Sequence, residues 1–282
     1  MRYFIKLSYD GSSFCGWQFQ PNAPTVQECL EKALSTLLKA EVAVVGAGRT
    51  DSTVNAVGYV AHFDFNGPVP QPLAALDGDL DAEKLGYKLN AILPRGIVVH
   101  DVSSVSQDLH ARFSASRREY TYFLHRTKDP FVEAYSYFCP CELDVDAMNK
   151  AAALLLGKHD FRCFEKVGSD NRTSECEVFE ARWVRYEPVH VSVMGFCPAD
   201  SHLYFRISAD RFLRNMVRAV VGSLFEVGRG RRSVEDFAAL VLPAGDVPEG
   251  DGAHVRKDGT PFRSMAGESV PGHALFLSKV EY

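Results

Sequence analysis

Apolar and polar positions alternate through residues 2–9, the period of a half-buried strand, and Asp10-Gly11 follows as a turn signal. In "TVQECLEKALSTLLKA" the apolar residues fall at 26, 30, 33, 34, 37 and 38, the spacing of an amphipathic helix, with Thr25 placed to cap it. A strand to about Val45 runs into Gly46-Ala47-Gly48, and a helix or strand then leads into "GYVAHFDF". Beyond an acidic, proline-bearing stretch (68–81), "AEKLGYKLNAIL" predicts a helix stopped by Pro94, and "GIVVHDVSSV" predicts a strand.

The second half carries the same alternation of patterns. "REYTYFLHR", "EVFEARWVRYE" and "HLYFRISAD" have strand character, and "DVDAMNKAAALLLGKHDF" has helical character. "RFLRNMVRAVVGSLFEVGRG" predicts one long helix ended by glycine. At about 100° per residue its Arg211, Arg214 and Arg218 share a narrow stripe, with Leu213, Met216, Val217, Val220 and Leu224 on the opposite, core-facing arc. The Gly/Pro-rich 242–264 segment predicts a long loop. Together these predict an α+β fold of two related halves, 1–109 and 110–282, each a mostly antiparallel sheet backed by helices, with the site in a cleft between them.

Charge sharpens this picture. The chain of 282 residues has a net charge of −5, which does not announce a nucleic-acid binder. Yet residues 111–128 hold five Lys/Arg against one Glu, and residues 211–232 hold six Arg against one Glu. Basic stripes on an acidic body point to an anionic partner at a defined groove. No apolar run approaches the roughly 18 residues of a membrane helix, and the opening "MRYFIKLSYDG" has the pattern of a strand rather than a secretion signal. Seven scattered cysteines, with no CxxC pair, predict a reduced cytoplasmic setting without disulfides or metal.

Gly46-Ala47-Gly48 after an apolar strand invites a nucleotide-binding reading. A dinucleotide fingerprint needs a third small residue where Asp51 stands, and that charge would repel a pyrophosphate. A phosphate loop needs a following Gly-Lys-Ser/Thr, which is missing. What remains is a sharp turn that aims Arg49 and Asp51 outward, or a salt-bridged turn in which Thr50 or Asp51 caps a helix.

"GAGRTD" followed by "VAHFDF" resembles the active-site segment of the TruA family of tRNA pseudouridine synthases. "YDGSSFCGWQ", "VQECLEKAL", "DLHARFSASRREYTYFL", "GKHDFRCF", "FLRNMVRAVVGSLFEVGRG" and "AGESVPGHALFL" occur in the family's order, so the resemblance spans nearly the whole chain. It implies an enzyme that detaches uracil from ribose in RNA, rotates it and rejoins it through carbon, with no cofactor or metal. The implied substrate is the tRNA anticodon stem-loop at positions 38 to 40, bound by a cytoplasmic homodimer.

The resemblance assigns the essential carboxylate to Asp51, its guanidinium partner to Arg218, and a uracil-stacking ring that assists proton removal from C5 to Tyr120. Arg49 would fill the gap left by the flipped nucleotide or hold its phosphate, and Arg112, Arg117, Arg118 and Arg214 would contact the RNA backbone. His62 reads as structural, Trp17 as packing, and Tyr122 as either core or site. The family pattern "GRTDAGVHA" departs here to Ser52, Thr53, Val54, Asn55 and Ala56. Thr53 replaces a glycine, which makes a left-handed backbone there unexpected or costly. Asn55 replaces a histidine, losing a proton carrier but keeping hydrogen-bonding ability. These departures leave open a paralogue acting on another RNA, or a non-catalytic RNA-binding relative.

Overall fold

The computed structural model describes residues 1–168, 172–195, 201–243 and 262–282. Cys197 and most of the loop expected over 242–264 lie outside the described residues. The α+β class read from the sequence is the one found. Contacts divide the chain into two units, Met1–Ser116 with Phe276–Tyr282, and Arg117–Leu275.

In the first unit β1 (Arg2–Tyr9) lies between β3 (Asn55–Asp64) and β4 (Ile97–Val105), antiparallel to both. The short β2 (Val44–Gly46) also pairs antiparallel with β3, whereas β11 (Leu275–Glu281) joins β3 in parallel, Phe276 opposite Asn55. The ambiguous segment before "GYVAHFDF" is loop up to Val54 and strand from Asn55. Helix α1 (Val26–Leu38) begins where Thr25 Oγ1 accepts from Glu28 N, and it buries Val26, Leu30, Ala33, Leu34 and Leu38. Helix α2 (Ala82–Ile92) is capped by Asp81, whose carboxylate accepts from Lys84 N at 3.0 Å, and it stops before Pro94. Ile5, Leu7, Tyr59 and Phe63 are among the fully buried side chains. Burying a side chain of this size contributes about 1.5–3 kcal/mol, so the core fixes which face of β1 and β3 points inward.

In the second unit β5 (Arg117–His125) pairs with β9 (His202–Ala209), which pairs with β8 (Glu175–Arg185), all antiparallel. Beyond β8 lie β7 (Gly157–Asp160) and β10 (Leu242–Pro243), and β6 (Tyr137–Phe138) adds to β5 in parallel. The helices are α3 (Val145–Ala153), α4 (Val189–Met194), α5 (Met216–Gly228) and α6 (Val234–Ala238). Two expectations are corrected here. The helix expected to run to Phe161 ends at Ala153, because Gly157 takes a φ of +94° and the chain turns into β7. The helix expected from Arg211 begins only at Met216. Asn215 sits at φ +66° before it, and Asp210 binds the amides of Arg211 and Glu177. Arg211 and Arg214 thus lie outside the helix and share no stripe with Arg218, although Leu213, Met216, Val217, Val220 and Leu224 are all buried as expected.

His62, in β3, is buried, and its Nδ1 accepts from Ala111 N at 3.1 Å. Burial, reinforced by the charge of Arg2, lowers its pKa from 6.5 to about 4. The neutral ring therefore contributes stability that is complete above pH 6.5 and lost as pH falls through about 4. Urea unfolding between pH 7 and pH 4 should show a loss of stability that is smaller in His62→Gln, by roughly 2–3 kcal/mol. Equal losses in the two proteins would show that His62 is not a source of the acid sensitivity.

Candidate active site

The loop after β2 carries Arg49, exposed, and Asp51, half-buried. Its backbone is gripped by the segment that follows β1. Tyr9 Oη and Thr50 Oγ1 share a buried 2.9 Å hydrogen bond. Trp17 N donates to Thr50 O at 3.3 Å, and Thr53 N donates to Phe14 O at 3.3 Å. Val54 N closes the turn onto Asp51 O at 3.2 Å. Gly16, at φ +85°, lies so close that an added Cβ would strike Thr50 O, and a Cβ at Gly11 would strike Val54 O. Only glycine lets the two backbones meet this closely.

The turn Gly46-Ala47-Gly48 serves the same grip and shows no helix N-terminus of the nucleotide-binding kind. A Cβ at Gly46 would meet Tyr59 Oη and the Trp17 ring, which themselves stack with centroids 4.2 Å apart. Tyr59 Oη donates to Gly48 O, and Ala47 N donates to Val60 O at 2.9 Å. Trp17 is buried packing, as expected. Tyr59 was not singled out from sequence, where it is one more aromatic residue in an apolar strand.

The two departures from the family pattern now have a physical account. Thr53 does adopt a left-handed backbone, φ +66°, against expectation. For a β-branched residue this costs about 1–2 kcal/mol, and the bonds on either side of it hold it there. Asn55 is buried, and its Oδ1 accepts from Gly11 N at 2.8 Å, satisfying an amide that would otherwise be orphaned. The loop thus keeps a defined conformation with Thr53 and Asn55 in place.

The other candidates except Arg112 belong to the second unit. Tyr120, in β5 opposite Ile207, is nearly buried, its ring edge-on to Phe212 with centroids 5.0 Å apart. Tyr122 is wholly buried, and burial raises its pKa far above the usual phenol range. It is a core residue. Arg218, in α5, donates from Nε to Val270 O at 2.7 Å, while Val270 N donates to Arg218 O at 3.2 Å. That reciprocal pair needs close packing. A Cβ at Gly222 would strike Glu268 O, and Gly267 N donates to Ser223 Oγ at 2.8 Å.

Among the backbone-contact candidates, Arg112 and Arg214 are exposed. Arg117 and Arg118 are half-buried, with internal bonds to Ser208 Oγ at 2.6 Å and Asp210 O at 2.7 Å. Among the described residues no cluster of three or more His, Cys, Asp or Glu could hold a metal ion, and no helix is long and apolar enough to cross a membrane.

The grip on the Asp51 loop makes a graded expectation for stability. Gly16→Ala should destabilise by about 2–4 kcal/mol, combining φ strain with overpacking. Asn55→Ala should cost about 1–3 kcal/mol by stranding the Gly11 amide. Thr53→Gly should stabilise by up to about 1 kcal/mol, relief of strain exceeding the added chain entropy. Urea denaturation of the three variants checks the order; a Gly16→Ala protein as stable as the parent would contradict the described contact.

A sequence model of the family described as tRNA pseudouridine synthase matches residues 151–282. The protein "tRNA pseudouridine synthase A" of Bacteroides fragilis is 43% identical over 282 residues, covering 100% of this chain and 96% of that protein. Its namesake in Porphyromonas gingivalis is 42% identical over 281 residues, covering 100% of this chain and 97% of the relative. The namesake in Bacillus licheniformis is 35% identical over 286 residues, with 100% and 99% covered. On this full-length similarity the chain belongs to the tRNA pseudouridine synthase A (TruA) family of isomerases.

Proposed function

We propose that this chain converts uridine to pseudouridine in tRNA, at positions 38 to 40 of the anticodon stem-loop, and that Asp51, Tyr120 and Arg218 carry the reaction. The observation that most supports this is the rigid glycine-backed loop that holds Asp51 half-buried, in a chain similar throughout to proteins named tRNA pseudouridine synthase A. The N1–C1′ bond breaks, the uracil turns, and a C5–C1′ bond forms; C5 then loses its proton and N1 gains one. Product and substrate contain the same atoms at the same oxidation level, so no redox cofactor is called for.

Asp51 acts on the sugar or the base as a nucleophile or a proton acceptor. A carboxylate in a water-poor site stays ionised only beside a fixed cation, the role proposed for Arg218, whose Nε is already anchored on Val270 O. Tyr120 stacks on the everted uracil and assists at C5. Arg49, exposed two residues before Asp51, takes the gap or the phosphate of the flipped nucleotide, and Arg112, Arg117, Arg118 and Arg214 bind backbone phosphates. In this scheme residues 1–109 supply the aspartate and residues 110–282 supply the tyrosine and the arginine helix. The protein works as a cytoplasmic homodimer on one tRNA. The defined conformation at Thr53 and Asn55 favours this reading over a non-catalytic RNA binder with a disabled loop.

Incubation with tRNA carrying C5-tritiated uridine should release tritium, and pseudouridine should map to positions 38 to 40. Arg218→Ala should lower kcat by more than it weakens tRNA binding. Binding without release would contradict an enzymatic role, pseudouridine elsewhere would correct the site, and an Arg218→Ala defect confined to affinity would remove the ion-pair role.

A further inference from the structure

Between β4 and β5 the chain makes a tight turn, His110 to Ser114, built around an imidazole. His110 N donates to Ser114 Oγ and Ser114 N donates to His110 O, each at 2.9 Å. The His110 ring accepts on Nδ1 from Arg112 N at 3.1 Å and from Phe113 N at 3.2 Å. Ala111 is held on both sides, its amide on His62 Nδ1 at 3.1 Å and its carbonyl by Tyr282 Oη at 2.8 Å. A turn with its polar groups satisfied in this way resists rearrangement.

What the turn holds outward is an apolar ring. Phe113 is 77% exposed, yet it is not a loose side chain. It leans on His110, centroids 4.4 Å apart at 33°, and His110 in turn meets the buried His62 edge-on at 4.7 Å. The guanidinium of Arg112 lies over the Phe113 ring, 5.6 Å from its centre. A chain of rings therefore runs from the core to the surface and ends in an exposed phenyl group with a cation over it.

The geometry points to Phe113 and Arg112 as a stacking platform for one unpaired nucleobase of tRNA outside the reacting uridine, the ring taking the base and the guanidinium taking base or phosphate. The inference rests on the tRNA-modifying role proposed above and adds a binding residue to it. An apolar ring with a cation over it matches the two halves of a nucleotide, an aromatic base and an anionic phosphate. A protein partner would instead require a patch of about 800 Å² on each side, far beyond one phenyl ring flanked by exposed Gln107, Asp108 and Ser116.

Affinity for full-length tRNA, measured at fixed salt by filter binding, tests this. Phe113→Ala should raise Kd by about 5- to 150-fold, whereas Phe113→Tyr and Phe113→Trp should stay within a few-fold of the parent. In Phe113→Trp, tRNA should also quench the fluorescence of the new indole. An unchanged Kd in Phe113→Ala overturns the platform while leaving the enzymatic reading intact. Equal losses in the alanine, tyrosine and tryptophan variants also overturn it, since a stacking ring would be replaceable by another. Loss of self-association in Phe113→Ala with tRNA affinity retained would assign the ring to a protein contact instead. A parent protein that binds no tRNA at all would remove both this inference and the proposed function.

Discussion

The placement of Asp51 depends on the approach of two backbone segments, at Gly16 against Thr50 and at Gly11 against Val54, with no room for a side-chain carbon at either glycine. Everything local follows from that approach. It brings Trp17 N to the Thr50 carbonyl and Tyr9 Oη to the Thr50 hydroxyl, and it delivers the Gly11 amide to Asn55. The loop is thereby held through its backbone and the Thr50 hydroxyl, which fixes the position from which Asp51 projects. The strain at Thr53 is the local cost of that arrangement, tolerable because the neighbours on both sides are fixed.

The second unit solves the same problem with the same devices. Gly222 in α5 allows the 267–270 segment to lie directly on the helix, and that contact supplies the Val270 carbonyl on which Arg218 Nε is anchored. An arginine side chain has several rotatable bonds, and tethering its Nε leaves the terminal nitrogens oriented at little further entropic cost. Tyr120 is positioned by the antiparallel register of β5 with β9 and by the edge of Phe212. In each unit a close-packed apolar core sets the elements, and close backbone contacts at glycine position the candidate residues.

Much of this was legible in the chain because it depends on short-range pattern. The α1 helix shows as a period-3.6 apolar stripe with Thr25 at its start, α2 as a helical run stopped by Pro94, and β5, β8 and β9 as runs of branched and aromatic residues. The boundary of α5 was not legible, since residues 211–215 continue the apolar spacing of the helix. What stops the helix is the αL turn at Asn215 and the Asp210 carboxylate bound to two amides, one of them on β8. The left-handed Thr53 was misjudged for a related reason. Intrinsic preference disfavours it, and only contacts with the distant residues 9–17 override that preference. Tyr59 escaped notice because its hydroxyl becomes meaningful only once the Gly48 carbonyl is placed against it.

The central claim is that one charged carboxylate on a pre-held loop performs the chemistry, and Asp51→Asn isolates it by keeping shape and removing charge. Single-turnover isomerisation of tRNA and the tRNA Kd should be measured together on this variant. The account predicts a rate lowered by more than about a thousandfold, with Kd and thermal stability close to the parent. A variant that isomerises uridine within about tenfold of the parent would contradict it.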